Sequence, residues 1–138
     1  MAYNFTKDER YLELAVNIAK KYISMLEDDY IPVWDFDFRG QDVVRDASAA
    51  AIAASKLIDL SGYVKNEEDK NLFRRTAEII VETLYNSYSS KDDSSFRGLI
   101  KHCTGFFNNN VDIDENLIYA DYYFAEAVSK LADNKTIF

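Results

Sequence analysis

The sequence predicts an all-α fold built from stacked helical hairpins. Four segments carry apolar residues every three or four positions, the spacing that places them on one face of a helix. Turn signals separate these segments, notably Pro32, Gly62 and the polar run from Ser89 to Ser95. No segment shows the alternation of apolar and polar residues that indicates a strand. The length of 138 residues suits a single domain.

The first helix is predicted from Lys7 to Leu26. A capping-box pattern, Thr6-Lys-Asp-Glu9, stands at its start and would satisfy two backbone N–H groups reciprocally. Pro32 disfavours helix in the segment that follows. Residues 34–41 are therefore predicted as a loop.

The second helix is predicted to consist almost wholly of small residues. Asp46 or Ser48 can cap its N-terminus, and we expect it to run to about Leu60 and to end at Gly62. Alanine and serine side chains allow another helix to approach closely. We therefore interpret this helix as a packing element and not as a source of catalytic hydroxyls.

The third and fourth helices are predicted on either side of a polar, asparagine-rich region. Asn66 begins the third helix, whose apolar positions continue to Tyr88, and acidic residues favour its positive end. Further along, the predictions are a short element over residues 96–102, taken as one helical turn, a loop over residues 104–114 and a fourth helix over residues 115–132.

This order of elements is a repeat with a period of about 60 to 70 residues. A long helix, a loop that carries aromatic residues and a second helix occur twice, which gives two hairpins at about 6–61 and 66–132 in one helical domain, 1–138. Stacked hairpins usually need about three units or a cap. We therefore expect the chain to form a homo-oligomer or to pair with a missing part of a larger structure.

Charge and cysteine content exclude several functional classes. The formal net charge of −8 and the scattered basic residues argue against nucleic acid as a partner. No apolar run approaches the roughly 20 residues that a membrane span requires. Cys103 is the only cysteine, so no intrachain disulfide can form and a cytoplasmic location is expected.

Four ordered segments resemble one enzyme family. They read Pro32-Val-Trp-Asp-Phe36, Arg45-Asp-Ala-Ser-Ala-Ala-Ala-Ile-Ala-Ala-Ser55, Gly98-Leu-Ile-Lys-His102 and Ile118-Tyr-Ala-Asp-Tyr-Tyr-Phe-Ala-Glu-Ala127. In this order they are similar to the C-terminal third of unsaturated glucuronyl hydrolases, glycoside hydrolase family 88.

The resemblance implies part of an (α/α)6 toroid and a carbohydrate ligand. It implies hydrolysis of unsaturated uronyl disaccharides by hydration of an enol-ether double bond, with no metal or other cofactor. The family's acid/base aspartate, a second pocket aspartate and a Trp-x-Arg-Gly-Gln-Ala-Trp segment have no counterpart in this sequence. We therefore expect the chain to be inactive alone and assign no catalytic residue. A non-catalytic helical-repeat interaction module is the alternative.

Four residues are candidates for ligand binding, each with an ordinary structural alternative. Trp34 and Asp35 could stack on a sugar ring and bond its hydroxyls, or Trp34 could cover the small-residue helix while Asp35 caps a local turn. Arg45 could orient the loop through an ion pair with Asp46, although Asp46 is fully accounted for as a helix cap. The resemblance places His102 at a pocket rim, whereas the alternative is a structural hydrogen bond.

No metal site is predicted. His102 and Cys103 lack two further ligands at suitable spacing. Asp112, Asp114 and Glu115 lack the glycine and the spacing of a calcium loop. We interpret these three acids as caps of the fourth helix.

Overall fold

The computed structural model describes residues 2–37 and 43–133, and most of this part of the chain is helical. The helices are α1 (Ala2–Thr6), α2 (Glu9–Ile23), α3 (Ala47–Ser61), α4 (Glu67–Thr83) and α5 (Ile118–Asp133). A π-helical turn, Leu84–Tyr88, extends α4. The prediction of a mainly helical protein is confirmed, and residues 38–41 of the predicted loop lie outside the described residues.

A small antiparallel hairpin corrects the all-α prediction. Strand β1 (Cys103–Phe106) pairs with β2 (Val111–Glu115) across a 3-10 turn, Phe107–Asn109. Asn110 closes the turn with a φ of 52°, in the left-handed region that asparagine adopts more readily than most residues. The loop predicted over residues 104–114 is thus wrong, and α5 begins at Ile118 because Glu115 belongs to β2.

The helical turn predicted over residues 96–102 is also absent. This segment instead pairs with the end of the π-helical turn, through an isolated bridge between Ser89 and Ile100. The backbone N–H of Lys101 donates to the Tyr88 carbonyl at 2.7 Å. Extended pairing therefore satisfies backbone groups that a helical turn would have used internally.

Helix α3 lies at the centre of the fold. It packs along both α4 and α5, while α2 contacts α3 and α4 over fewer residues. Fully buried alanines line α3, namely Ala47, Ala50, Ala51 and Ala54. Their small side chains allow close packing on two sides, as the sequence predicted. The division into hairpins at 6–61 and 66–132 stays a prediction.

The helix starts follow the predicted caps in two of four cases, and the acids predicted to cap the fourth helix, Asp112, Asp114 and Glu115, lie instead in β2. The Asp46 carboxylate accepts from the backbone N–H groups of Ser48 and Ala49 at the start of α3. Asn66 caps α4. At α2 the cap is Asp8, not Thr6, because Lys7 has a φ of 55° and separates α1 from α2.

Within residues 2–37 and 43–133, none of the helices has both the length and the apolar character needed to cross a lipid bilayer. The described chain also contains no cluster of three or more metal-binding side chains.

Candidate functional site

Two loops meet at the N-terminal end of α3. Val33 and Arg45 form an isolated antiparallel bridge, and the Trp34 backbone N–H donates to the Val44 carbonyl at 2.9 Å. The Asp46 backbone N–H donates to the carbonyl of Pro32, also at 2.9 Å. The segment around Trp34 is therefore fixed against the residues that lead into α3.

The β-hairpin is anchored to the same place. The Thr104 hydroxyl donates to the Arg45 carbonyl at 2.9 Å, and the Thr104 backbone N–H donates to the Asp46 carboxylate at 3.3 Å. The Ala47 backbone N–H donates to the His102 carbonyl at 3.1 Å. Asp46 thus caps α3 and holds β1 with the same side-chain oxygen.

An open cleft of about 580 Å³ lies between these anchored segments. Its lining comes from the residues before α3, the π-helical turn, the residue before β1 and the end of β2: Val43, Val44, Arg45, Ser87, Tyr88, His102 and Asp114. The cleft brings together two of the four predicted site residues, Arg45 and His102, from positions far apart in the sequence.

Arg45 lies in a network of acidic groups. Its Nη1 donates to the Ile31 carbonyl at 3.0 Å, and its Nη2 lies 2.8 Å from Glu27 Oε2 and 3.5 Å from Asp29 Oδ2. The side chain is about three-quarters buried, with 24% of it exposed. Its charge is therefore balanced by two carboxylates, and it fixes the turn that precedes Pro32.

Tyr88 connects this network to the other side of the cleft. Its hydroxyl donates to Asp29 Oδ2 at 3.1 Å, and its ring meets the His102 ring edge-on with centroids 5.8 Å apart. Burial, followed by the charge and hydrogen bond of Asp29, raises the pKa of Tyr88 to about 12, although Arg45 opposes the shift. The hydroxyl therefore keeps its proton at neutral pH, and that proton is donated to Asp29.

His102 forms the rim of the cleft with Asp114. The two side chains meet at 2.5 Å between Nδ1 and Oδ1, and both residues have a φ of 60°. Left-handed backbone at residues other than glycine is uncommon and often marks functional positions. Among the described residues, the second ring nitrogen of His102 has no hydrogen-bond partner, and about half of the side chain is exposed.

Trp34 and Asp35 do not line this cleft. The Trp34 ring packs on Phe107 of the hairpin, with centroids 4.7 Å apart and an interplanar angle of 33°. Asp35 accepts from the backbone N–H of Asp37 at 2.9 Å, which is a local turn. The two residues stabilise the loop and hairpin beside the cleft, and their contact with a ligand stays a prediction.

Sequence reasoning did not identify Glu27 and Asp29 as partners of Arg45 or Tyr88 as a residue of the cleft, and it interpreted Asp114 as a helix cap. Tyr88 follows the apolar pattern of α4 and carried no signal of a site. The acidic run at residues 27–29 offered a weak signal, because uncompensated carboxylates beside a predicted loop favour a cationic partner.

A buried charge network joins α3 to α5 away from the cleft. Lys130 Nζ lies 2.8 Å from Asp59 and 3.3 Å from Glu126, and it donates to the Ser55 hydroxyl at 3.0 Å. Burial alone would raise the pKa of Glu126, but hydrogen bonds from Ser55 and Lys56 and the charge of Lys130 outweigh burial and lower it. Glu126 is thus held ionised as a structural group.

Comparisons with known proteins place this geometry in a family context, although no protein-family model matches the chain. The chain is 36% identical over 134 residues to an unsaturated glucuronyl hydrolase of Formosa agariphila, a match that covers 94% of the chain and 32% of that enzyme. The solved unsaturated glucuronyl hydrolase of Bacillus sp. GL1 matches with a TM-score of 0.90 and 25% identity, over 96% of this chain and 36% of that one.

A solved unsaturated glucuronyl hydrolase specific for heparin matches with a TM-score of 0.85 and 39% identity, over 96% of this chain and 36% of that one. The chain spans about a third of the length of the curated relatives it matches. Because the sequence and structural matches both cover nearly all 138 residues, the chain belongs to the unsaturated glucuronyl hydrolase family, glycoside hydrolase family 88, and corresponds to part of such an enzyme.

Proposed function

We propose that this chain is the carbohydrate-binding part of a glucuronyl-hydrolase-type glycoside hydrolase and that a sugar binds in the cleft beside Arg45 and His102. The observation that carries the proposal is the cleft itself, which gathers polar side chains from three separate segments at the anchored end of α3. The relatives support it, since one is described as degrading glycosaminoglycan and another as specific for heparin.

The chemistry of the cleft suits hydroxyl-rich ligands. The carboxylate of Asp114 can accept from sugar hydroxyls, while the second ring nitrogen of His102 can donate or accept. Val43 and Val44 contribute apolar surface on which the C–H face of a sugar ring could rest. A mainly apolar cleft with a few convergent polar groups is the usual form of a small-molecule site.

We infer that neither the cleft nor the acids near it supply a general acid, since Tyr88, whose pKa is raised to about 12, already donates its proton to Asp29. A catalytic acid must be within reach of substrate and must hold a proton at the working pH. Glu126 is buried and ionised, and Asp46 accepts four hydrogen bonds from three residues that fix it structurally. We therefore propose that the chain has no hydrolytic activity by itself and that hydration of the substrate needs an acid from outside these 138 residues.

A non-catalytic interaction module is the second candidate. The observation that favours it is the exposure of large apolar side chains along α2 and α5, including Leu14, Ile18 and Ile118. Such exposed apolar surface is typical of protein contacts. A cytoplasmic location stays a prediction from the single cysteine.

Calorimetric titration with unsaturated uronyl disaccharides prepared from heparin and from chondroitin tests the proposal. We expect binding, and we expect His102→Asn to weaken it about fivefold to tenfold, because one hydrogen bond contributes about 1 kcal/mol. Asparagine tolerates the left-handed backbone of position 102. Glu82→Ala, on the exposed side of α4, is the matched control and should bind like the unmodified chain.

The absorbance of the substrate double bond gives the second readout. We expect no decrease in absorbance in the presence of the chain alone. Turnover by the purified chain would refute the assignment of no catalytic residue. Absence of binding by every disaccharide would refute the carbohydrate site and leave the interaction module as the better description.

A further inference from the structure

The groups around the cleft carry more negative than positive charge. Among the described lining residues, Arg45 supplies a permanent positive charge and Asp114 supplies a negative one. Two further carboxylates, Glu27 and Asp29, lie 2.8 Å and 3.5 Å from Arg45 Nη2. These two carboxylates outweigh the guanidinium, and Asp114 adds a further negative charge at the rim. A ligand in the cleft therefore experiences a negative field.

Asp114 is the carboxylate that is most accessible to a ligand. Its side chain is 65% exposed, whereas the side chains of Glu27 and Asp29 are 34% and 33% exposed and face Arg45. Its Oδ1 contacts Nδ1 of His102, and among the described residues its Oδ2 has no hydrogen-bond partner. Oδ2 can therefore accept from a donor on the ligand, and its charge opposes an anionic group there.

The lysine beside the cleft does not neutralise this field. Lys101 precedes His102, and its Nζ lies 3.1 Å from Asp93 Oδ2 and 5.4 Å from the centre of the Phe96 ring. Its charge is thus engaged with the loop over residues 89–98. An anionic substituent in the cleft would meet carboxylates without an unpaired cation among the described residues, while a positive substituent would gain from the same field.

The disaccharides considered above differ in charge on one of their two rings. The uronyl ring always carries a carboxylate, which the negative field disfavours. The nitrogen of a hexosamine ring is positive as a free ammonium, neutral as an acetamide and negative as a sulfamate. The hexosamine is therefore the ring that the cleft favours and the one whose substituents it can distinguish.

We propose that the cleft binds the hexosamine ring and that Asp114 makes it select against sulfate on the ring nitrogen. The expected order of affinity is ammonium, then acetamide, then sulfamate. An ammonium or acetamide N–H can donate to Asp114 Oδ2, whereas the sulfonate of a sulfamate is repelled by it. This selectivity rests on the proposed carbohydrate role and adds to it the class of sugar and the residue that determines specificity.

Calorimetric titration at pH 7 tests the order with three disaccharides that share one unsaturated uronyl residue. Their glucosamine nitrogen is free, acetylated or sulfated. In about 0.1 M salt we expect the sulfated form to bind about fivefold to tenfold more weakly than the acetylated form. In about 1 M salt the Debye length falls to about 3 Å, so the difference should shrink to less than about twofold. Steric exclusion of the sulfate would not respond to salt in this way.

Asp114→Asn assigns the selectivity to one residue. Asparagine keeps an acceptor and tolerates the φ of 60° at this position, so the substitution removes mainly the charge. We expect the ratio between the acetylated and sulfated ligands to decrease about threefold. Glu68→Gln is the matched control, because it removes one exposed carboxylate about 28 Å along α4 and its π-helical turn from Ser87 in the cleft. It should leave the ratio unchanged, and circular dichroism should show the same helix content in both variants.

The outcomes separate this selectivity from the carbohydrate site itself. If the acetylated disaccharide binds and the sulfated one binds equally or more tightly, the selectivity is overturned and the site stands. A preference that persists in about 1 M salt, or an equal change of the ratio in Glu68→Gln, would likewise overturn the role of Asp114. Failure of all three disaccharides to bind would refute the proposed carbohydrate role, and the selectivity with it.

Discussion

Replacing Asp46 by alanine should destabilise the fold through two elements at once. One carboxylate oxygen of Asp46 accepts from Ser48 and Ala49 at the start of α3, and from the buried Thr104 backbone N–H in β1. Loss of the helix cap costs about 1 kcal/mol. An unpaired buried N–H costs about 1–2 kcal/mol more, at the lower end because the bond to Thr104 is long at 3.3 Å.

The expected loss of unfolding free energy is therefore about 2–3 kcal/mol, or a decrease in melting temperature of roughly 5–10 °C for a domain of this size. Asp46→Asn should cost less than about 0.5 kcal/mol, since asparagine caps helices as well as aspartate and its amide oxygen can still accept from Thr104. Asn66→Ala is the matched control, because Asn66 caps α4 and holds no second element.

Urea unfolding followed by circular dichroism measures the three variants at one protein concentration, because self-association would make apparent stability depend on concentration. Amide hydrogen exchange at Thr104 measures local opening of the hairpin separately from unfolding of the whole chain. If Asp46→Ala costs no more than Asn66→Ala, and Thr104 exchange is unchanged, then Asp46 acts only as a helix cap and the coupling between α3 and the hairpin is refuted.

Three further changes test other contacts. In Gly98→Ala the new methyl group would overlap the side chain of Asn116, which bonds the Ile100 carbonyl, so we expect a loss of about 1–3 kcal/mol in urea unfolding. Lys130→Met removes the buried cation between Glu126 and the partly exposed Asp59, but Lys56 stays beside both carboxylates, so we expect a loss of about 1.5–3 kcal/mol, measured in the same way, whereas a near-neutral result would contradict the charge network. Because the folded protein holds the Tyr88 proton more tightly than the unfolded chain, the associated stability is present below pH 10 and is lost between pH 10 and about 12. Tyr88→Phe should reduce this alkaline loss, followed by circular dichroism and tyrosinate absorbance, and the exposed Tyr85→Phe should not.

The helices could be predicted because their signals are local. Apolar spacing and the caps Asp46 and Asn66 determine α3 and α4 without reference to the rest of the chain. The hairpin could not be predicted in this way. A two-stranded ribbon is marginal alone, and this one is held by Thr104 against Arg45 and Asp46 and by Phe107 against Trp34. Those contacts join residues more than fifty positions apart.

The candidate site shows the same limit. Arg45 and His102 were identified because both lie in segments that resemble one family, and the structure places both on one cleft. Their acidic partners come from the turn after α2 and from β2, and Tyr88 comes from the π-helical turn after α4. Sequence spacing contains no information about such pairings, so Trp34 and Asp35 were favoured over groups that are closer to the cleft.

The pairing of charges in the cleft limits which ligand groups the cleft can bind. Arg45 is balanced by Glu27 and Asp29, and His102 meets Asp114, so the described residues leave no uncompensated cation there. A sugar bound there, as proposed above, would be oriented by hydrogen bonds and would gain little from the charge of an anionic group. The carboxylate of a uronyl ligand would then need a cation from outside the described residues. This agrees with a site in which these segments bind the neutral part of the ligand while the acid and the uronyl contacts come from elsewhere.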